Sequence, residues 1–280
     1  MMQTRPNSMH RLDNALKRLA SDDKAYVNLR SLVANAIVGQ LLHDGVVKGG
    51  TSLKMRFGDA ATRVTTDLDT ARAANLDKFV AELHDSLQEG WCGFAGRIIP
   101  GRPAHPEGVP PHYVMQPFDI KLAYLGKSWC TVSLEVGHNE IGDANNPEYV
   151  IPAEANSYLS KLGFPSLDPV ALMPLHHQVA QKLHGVSEPG SIRAHDLIDL
   201  QIIMENGEVN MGKTRQACER LFAYRQTQTW PPVIIEKTSW STLYEEQRGD
   251  LAVAKTAGEA VTWANNLIGR IAVADTVNQP

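Results

Sequence analysis

Long apolar runs are missing from this 280-residue sequence. No stretch approaches the roughly 18 apolar residues that a membrane span needs, and Met1 to His10 is polar, without the apolar core of a secretory signal. A cytoplasmic protein with no membrane partner is the expectation. Cysteine is scarce as well: Cys92, Cys130 and Cys218 are odd in number and widely spaced. That excludes a disulfide framework and a Cys-x-x-Cys metal site, leaving buried or idle thiols. Excess positive charge is also lacking, since 27 Lys and Arg face 31 Asp and Glu for a net charge of −4. Phosphate affinity spread over the whole surface is therefore excluded. Internal repeats, coiled-coil heptads and low-complexity tracts are absent too.

A hydrophobic content of 43% supplies one large core or two modest ones. Charge is unevenly placed: residues 1–72 carry eleven basic side chains against seven acidic ones, so the remainder holds −8. Apolar residues recur at three or four positions between residues 10 and 43, as in Leu12, Leu16 and Leu19, then Leu29, Leu32, Val33, Ala36 and Ile37, which predicts one or two helices. Val46-Val47 reads as a strand running into Gly49-Gly50, with a short helix from Thr51 to Phe57. Thr65–Arg72 alternates as a second strand, and Leu76–Leu87 is helical. Further strands are expected at Gly93–Ile99, Tyr113–Leu125 and Trp129–Val136, with a Pro/Gly/His-rich loop at Pro100–Pro111. After the polar stretch Gly137–Pro152 the pattern becomes helical, at about Pro169–Gly185, Ile192–Glu205, Lys213–Arg225 and Ala252–Ile271. The expected organisation is an α/β domain over residues 1–150, then a helical domain over 151–280.

Two residues apart on a strand, Asp67 and Asp69 project from one face while Leu68 points into the core. Carboxylates that close repel, and a cation between them removes the penalty. Mg²⁺ or Mn²⁺ suits such oxygen donors and borrows its remaining ligands from water and substrate phosphates. Upstream, a strand ending in Gly49-Gly50 and opening a helix at Thr51-Ser52 offers a close backbone approach, amide donors and hydroxyls to an NTP triphosphate. This is not a P-loop, because Lys48 precedes the glycines and no Gly-Lys-Ser/Thr follows. A third carboxylate would complete a two-metal site. Glu135, on the polar face of Thr131–Val136, is the candidate ligand or general base, and Asp119 on the preceding strand is the reserve.

The string Lys48-Gly49-Gly50-Thr51-Ser52-Leu53, followed by Arg63-x-Thr65-x-Asp67-Leu68-Asp69, resembles the signature of the AbiEii/MenT-like toxins. These are the nucleotidyltransferase components of type IV toxin–antitoxin systems, within the DNA polymerase β superfamily. Leu134-Glu135-Val136, Gln181-Lys182-Leu183 and Arg193-x-x-Asp196-Leu197-x-Asp199-Leu200 are similar to its later motifs, in the same order. Thr65 stands where serine is usual, and the interval from Gly50 to Asp67 is longer than the pattern, placing the extra length at Gly58 to Thr62. The resemblance implies an α+β fold: a polymerase β-like mixed sheet with flanking helices, followed by a helical carboxy-terminal domain. It also implies transfer of a nucleotide from an NTP to RNA, with tRNA the expected acceptor, and a cognate antitoxin as partner. Lys182 and Asp196 join Asp67, Asp69 and Glu135 as catalytic candidates; Thr65 joins the nucleotide-binding set with Lys182; Arg56 and Arg63 are candidates for RNA backbone contacts. Asp199, one turn from Asp196, is expected to pair with Arg193.

Three rivals stand beside this reading. His176, His177, His184 and His195-Asp196, with Asp250, have the order of an HD-type metal phosphohydrolase, but that would leave Gly49-Gly50 and Asp67-x-Asp69 without a task. An antibiotic nucleotidyltransferase would use the same motifs on another acceptor. A binding module that kept the fold without catalysis would not need all the carboxylates.

Overall fold

The computed structural model describes residues 4–73, 75–103 and 114–275, so most of the Pro100–Pro111 loop lies outside the described residues. The chain forms two compact units. One comprises Met1–Gly58, Thr65–Asn139 and Ala144–Met173; the other comprises Asp59–Val64, Glu140–Asp143 and Pro174–Pro280.

In the first unit, α1 (Met9–Leu19) and α2 (Asp23–Gln40) lead into β1 (Gly45–Lys48), α3 (Gly49–Phe57), β2 (Leu68–Arg72) and α4 (Leu76–Glu89). Side-chain caps set the helix starts: Asp22 accepts from the Ala25 amide at 2.8 Å and Asn75 from the Lys78 amide at 2.8 Å. There follow β3 (Phe94–Pro100), β4 (Gln116–Tyr124), β5 (Lys127–His138), β6 (Glu148–Val150), α5 (Ala153–Lys161) and β7 (Val170–Leu172). The seven strands lie in the order β3-β4-β5-β2-β1-β7-β6. Pairing is mixed, with β2 parallel to β5, β1 parallel to β7 and the other pairs antiparallel. Leu68, Leu134, Val47 and Leu172 are fully buried in the main core, beneath Val33 and Ile37 of α2. This is the mixed α+β sheet with flanking helices that the motifs imply.

Several boundaries differ from the sequence pattern. α3 opens at Gly49 rather than Thr51, and β2 begins at Leu68, leaving Asp67 just ahead of it. The expected helix from Pro169 is β7 followed by α6 (Leu175–Ser187), because Pro174 interrupts the run and sits at the new helix's amino end. β6, α5 and β7 carry the first unit on to Met173, since β7 needs β1 beside it (Val47 opposite Leu172) to exist as a strand.

The second unit contains α6, α7 (His195–Asn206), α8 (Met211–Arg225), α9 (Trp240–Arg248) and α10 (Ala257–Ala272). Trp240 and Tyr244 of α9 are fully buried. Both satisfy their polar ends, the indole on the Ser191 carbonyl at 2.9 Å and the phenol on the Ala254 carbonyl at 2.9 Å. Among the described residues no helix is long and apolar enough to cross a membrane.

Candidate active site

Register brings the first unit's polar groups together. Asp69 of β2 lies opposite Glu135 of β5 on one side and opposite Lys48 of β1 on the other. Directly opposed residues share a face, and the buried Leu68–Leu134 pair fixes the other face to the core. Asp69, Glu135 and Lys48 therefore stand on the face turned away from α2. Asp119 pairs with Ser133, two pairs further along, and is engaged by the Lys121 ammonium at 2.8 Å. Of the two candidates for a third carboxylate, Glu135 is the one in register with Asp69.

The glycine turn is moulded to this face. Gly49 has φ of +66°, a left-handed value, and an added Cβ would lie 2.2 Å from the Asp69 Oδ2. Only glycine satisfies both conditions. Gly50 behind it is buried within α3. Thr51 and Ser52, expected to offer hydroxyls to phosphates, are buried; Thr51 Oγ1 donates instead to the Asp67 carbonyl at 2.6 Å. Asn35 of α2 donates to the adjacent Thr66 carbonyl at 3.2 Å. Two helices thus pin consecutive carbonyls immediately before β2. Thr65 is half-buried, while Asp67 itself is exposed.

The second unit builds a buried charge cluster. Lys182 of α6 donates to Asp196 at 3.0 Å and to Asp199 at 2.6 Å, both on α7. Arg63 reaches Asp199 with two bonds, at 2.9 and 3.1 Å, and Arg193 holds Asp196 at 2.6 Å. Lys182, Asp196 and Asp199 are each at most 5% exposed. Burial alone would raise both carboxyls. Lys182 with Arg193 on Asp196, and Lys182 with Arg63 on Asp199, hold them below the ordinary carboxylate value. Burial likewise opposes the Arg63 charge, and Asp199 more than restores it. Three cations on two carboxylates leave one positive charge in excess.

Some expected assignments move. Asp199 pairs with Arg63 and Lys182, whereas Arg193 takes Asp196. The sequence could not show this, because Arg63 and Asp199 are 136 residues apart. Lys182 is turned to carboxylates rather than left open to a phosphate. Of the two arginines assigned to RNA, Arg63 is bound to Asp199, and Arg56 donates to the Met173 carbonyl at 3.0 Å while pairing with Glu148. The histidine rival finds no metal centre: among the described residues no group of three or more His, Cys, Asp or Glu is drawn together for a metal. His184 instead contacts Arg225 and Thr227, at 3.2 and 3.1 Å. Asp67 precedes β2 and is exposed, while Asp69 lies within the strand. Asp69 and Glu135 in register still offer the one or two carboxylates that suffice for Mg²⁺ when phosphates and water complete its shell.

A family profile described as nucleotidyl transferase AbiEii toxin, type IV TA system, matches residues 30–264. No curated relative matches by sequence. Among solved structures, MenT4, a nucleotidyltransferase toxin of Mycobacterium tuberculosis H37Rv, is similar at a TM-score of 0.55 and 16% identity, over 92% of this chain and 98% of that one. JHP933 of Helicobacter pylori gives a TM-score of 0.48 at 14% identity, over 90% and 93% of the two chains.

Proposed function

Since the chain belongs to the AbiEii family of nucleotidyltransferase toxins of type IV toxin–antitoxin systems, we propose that it transfers a nucleoside monophosphate from an NTP to the 3′-hydroxyl of an RNA, with tRNA the acceptor. The observation that carries this reading is the register of Asp69 with Glu135 beside the Gly49 turn. The turn and the amino end of α3 receive the triphosphate through backbone amides. A divalent cation, Mg²⁺ or Mn²⁺, held by Asp69 and Glu135 with Asp67 nearby, would neutralise charge on the phosphates. Glu135 assists as ligand or as the base that takes the acceptor hydroxyl's proton. The acceptor oxygen bonds to the α-phosphorus, the bond to the bridging oxygen breaks, and pyrophosphate leaves.

Lys182 and Asp196 enter this reading through the family motifs they match, and in the second unit they share one cluster with Asp199, Arg63 and Arg193, three cations on two carboxylates. Thr51 contributes by holding the Asp67 carbonyl, and Thr65 is assigned to the nucleotide by the family motif it matches. Blocking the acceptor end of tRNA would stop translation, the effect expected of a toxin whose antitoxin is a separate chain in the same cytoplasm.

The test is incubation of the purified protein with each labelled NTP, Mg²⁺ and total RNA, followed by sequencing of labelled 3′ ends. Label on tRNA ends is expected, and Asp69→Asn or Glu135→Gln should lower it by about a hundredfold or more while leaving the fold intact. Label appearing only on an aminoglycoside added in parallel would replace RNA with a drug as the acceptor. No label from any NTP would leave a nucleotide-binding module.

A further inference from the structure

The sheet of the first unit has a notch beside the carboxylates. β5 begins at Lys127, but β2 joins it only from Leu68, opposite Leu134. Cys130 to Ser133 therefore have no strand neighbour on that side among the described residues. A cavity of about 190 Å³ occupies the gap, walled by Arg30, Ser31 and Asn35 of α2, by Thr66, and by Thr131 and Ser133 of β5. Thr66 directly precedes Asp67, and Ser133 stands two residues before Glu135 on the same strand face.

Asn35 is the anomaly in this wall. It is 3% exposed and set among the buried Val33, Ala34, Ala36 and Ile37. One amide hydrogen is committed to the Thr66 carbonyl at 3.2 Å, which fixes the amide's orientation. Its Oδ1 is buried and has no hydrogen-bond partner. A buried acceptor left open is costly, and such groups in native proteins usually have a partner. The free oxygen calls for a donor, and the second amide hydrogen beside it can meet an acceptor. That is the pattern of a nucleobase edge, with an exocyclic amine next to a ring nitrogen. Ser31 adds a hydroxyl, while the planar Arg30 guanidinium and Val27, 46% exposed, give surfaces on which a base can stack. The volume equals about six waters, the scale of one base rather than a whole nucleotide.

We propose that this notch is a nucleobase subsite, with Asn35 reading a base that carries an exocyclic amine. The inference rests on the nucleotidyltransferase reading above. The base belongs either to the NTP or to the acceptor's last nucleotide, and one experiment has an arm for each. Wild-type protein is given ATP against purine riboside triphosphate and CTP against UTP, then RNAs ending in adenosine against purine riboside and in cytidine against uridine. Equilibrium binding of the labelled ligands is measured beside transfer.

Loss of the amine is expected to weaken binding, and transfer efficiency with it, at least tenfold in one arm. Asn35→Leu should reduce that penalty to about twofold. A penalty below twofold in both arms, or one that survives unchanged in a folded Asn35→Leu variant, overturns the subsite. Should that variant fail to fold, the wild-type comparisons decide. Wild-type protein that discriminates in binding but transfers nothing would uphold the subsite and sink the transfer reaction; transfer without discrimination would do the reverse.

Discussion

Gly49 shows how one residue can be fixed by two conditions at once. Its left-handed backbone costs a non-glycine residue about 1–2 kcal/mol, and its missing side chain is the space in which Asp69 sits. Gly49→Ala should therefore lower the midpoint of thermal unfolding and, by displacing the Asp69 carboxylate, abolish nucleotide transfer. A Gly49→Ala protein that keeps wild-type activity would show that the Asp69 position is not the one chemistry uses. At this scale the sequence named the participants but not their partners. Gly49, Asp69 and Glu135 were legible from their motifs because local chain geometry puts glycine at a turn and carboxylates on one side of a strand. Thr51 was legible as a residue but not in its task, since its bond to the Asp67 carbonyl depends on where β2 begins. Asn35 gave no signal, being one polar residue in an apolar helical run.

Among elements, those with many same-face contacts of their own were readable. α2, α4 and the β3–β4–β5 meander have long periodic stretches and clear turns. β7 and β6, three residues each, take their form from β1 and from each other, and periodicity has no purchase on so few positions. α9 was missed for a related reason: its buried positions, Trp240 and Tyr244, are few, and its remaining surface is polar. α10 was recognised but begins later than its apolar pattern, at a capping box formed by Thr256 and Glu259. Thr256→Ala removes a bond to the Glu259 amide and should cost about 1 kcal/mol. Chemical denaturation followed by far-ultraviolet circular dichroism would show it as a lower midpoint with unchanged slope, and an unaltered midpoint would mean that the cap contributes nothing.

Across the whole molecule, buried titratable groups set how stability follows pH. Burial, with Arg225 adding for His184 and His176 for His177, pushes both imidazoles down from 6.5 to about 4. The unfolded chain takes up protons at these positions near pH 6.5, whereas the folded chain resists until about 4. Stability is therefore lost as pH falls between those values. Asp196 and Asp199 extend the loss: held below their ordinary 3.8, they contribute fully above that value and lose the contribution progressively as pH falls from it toward their lower folded values. Urea midpoints measured from pH 7.5 to 3.5 should decline steadily below 6.5, the imidazoles' share ending near 4 as that of the carboxylates begins. A flat profile down to pH 5 would mean that both imidazoles are already protonated in the native protein.

The sequence by itself determined the family, the α+β order of elements and the residues from which a glycine turn and a carboxylate face are made, because these follow from local spacing and backbone preference. Only the tertiary structure decided which of them meet. It placed Glu135 in register with Asp69, left Asp67 ahead of its strand, continued the first unit to Met173 and joined Arg63 to Asp199. Each of these rests on contacts between residues far apart in the chain, where strand register and the need to pair buried charge select partners that spacing along the sequence does not encode.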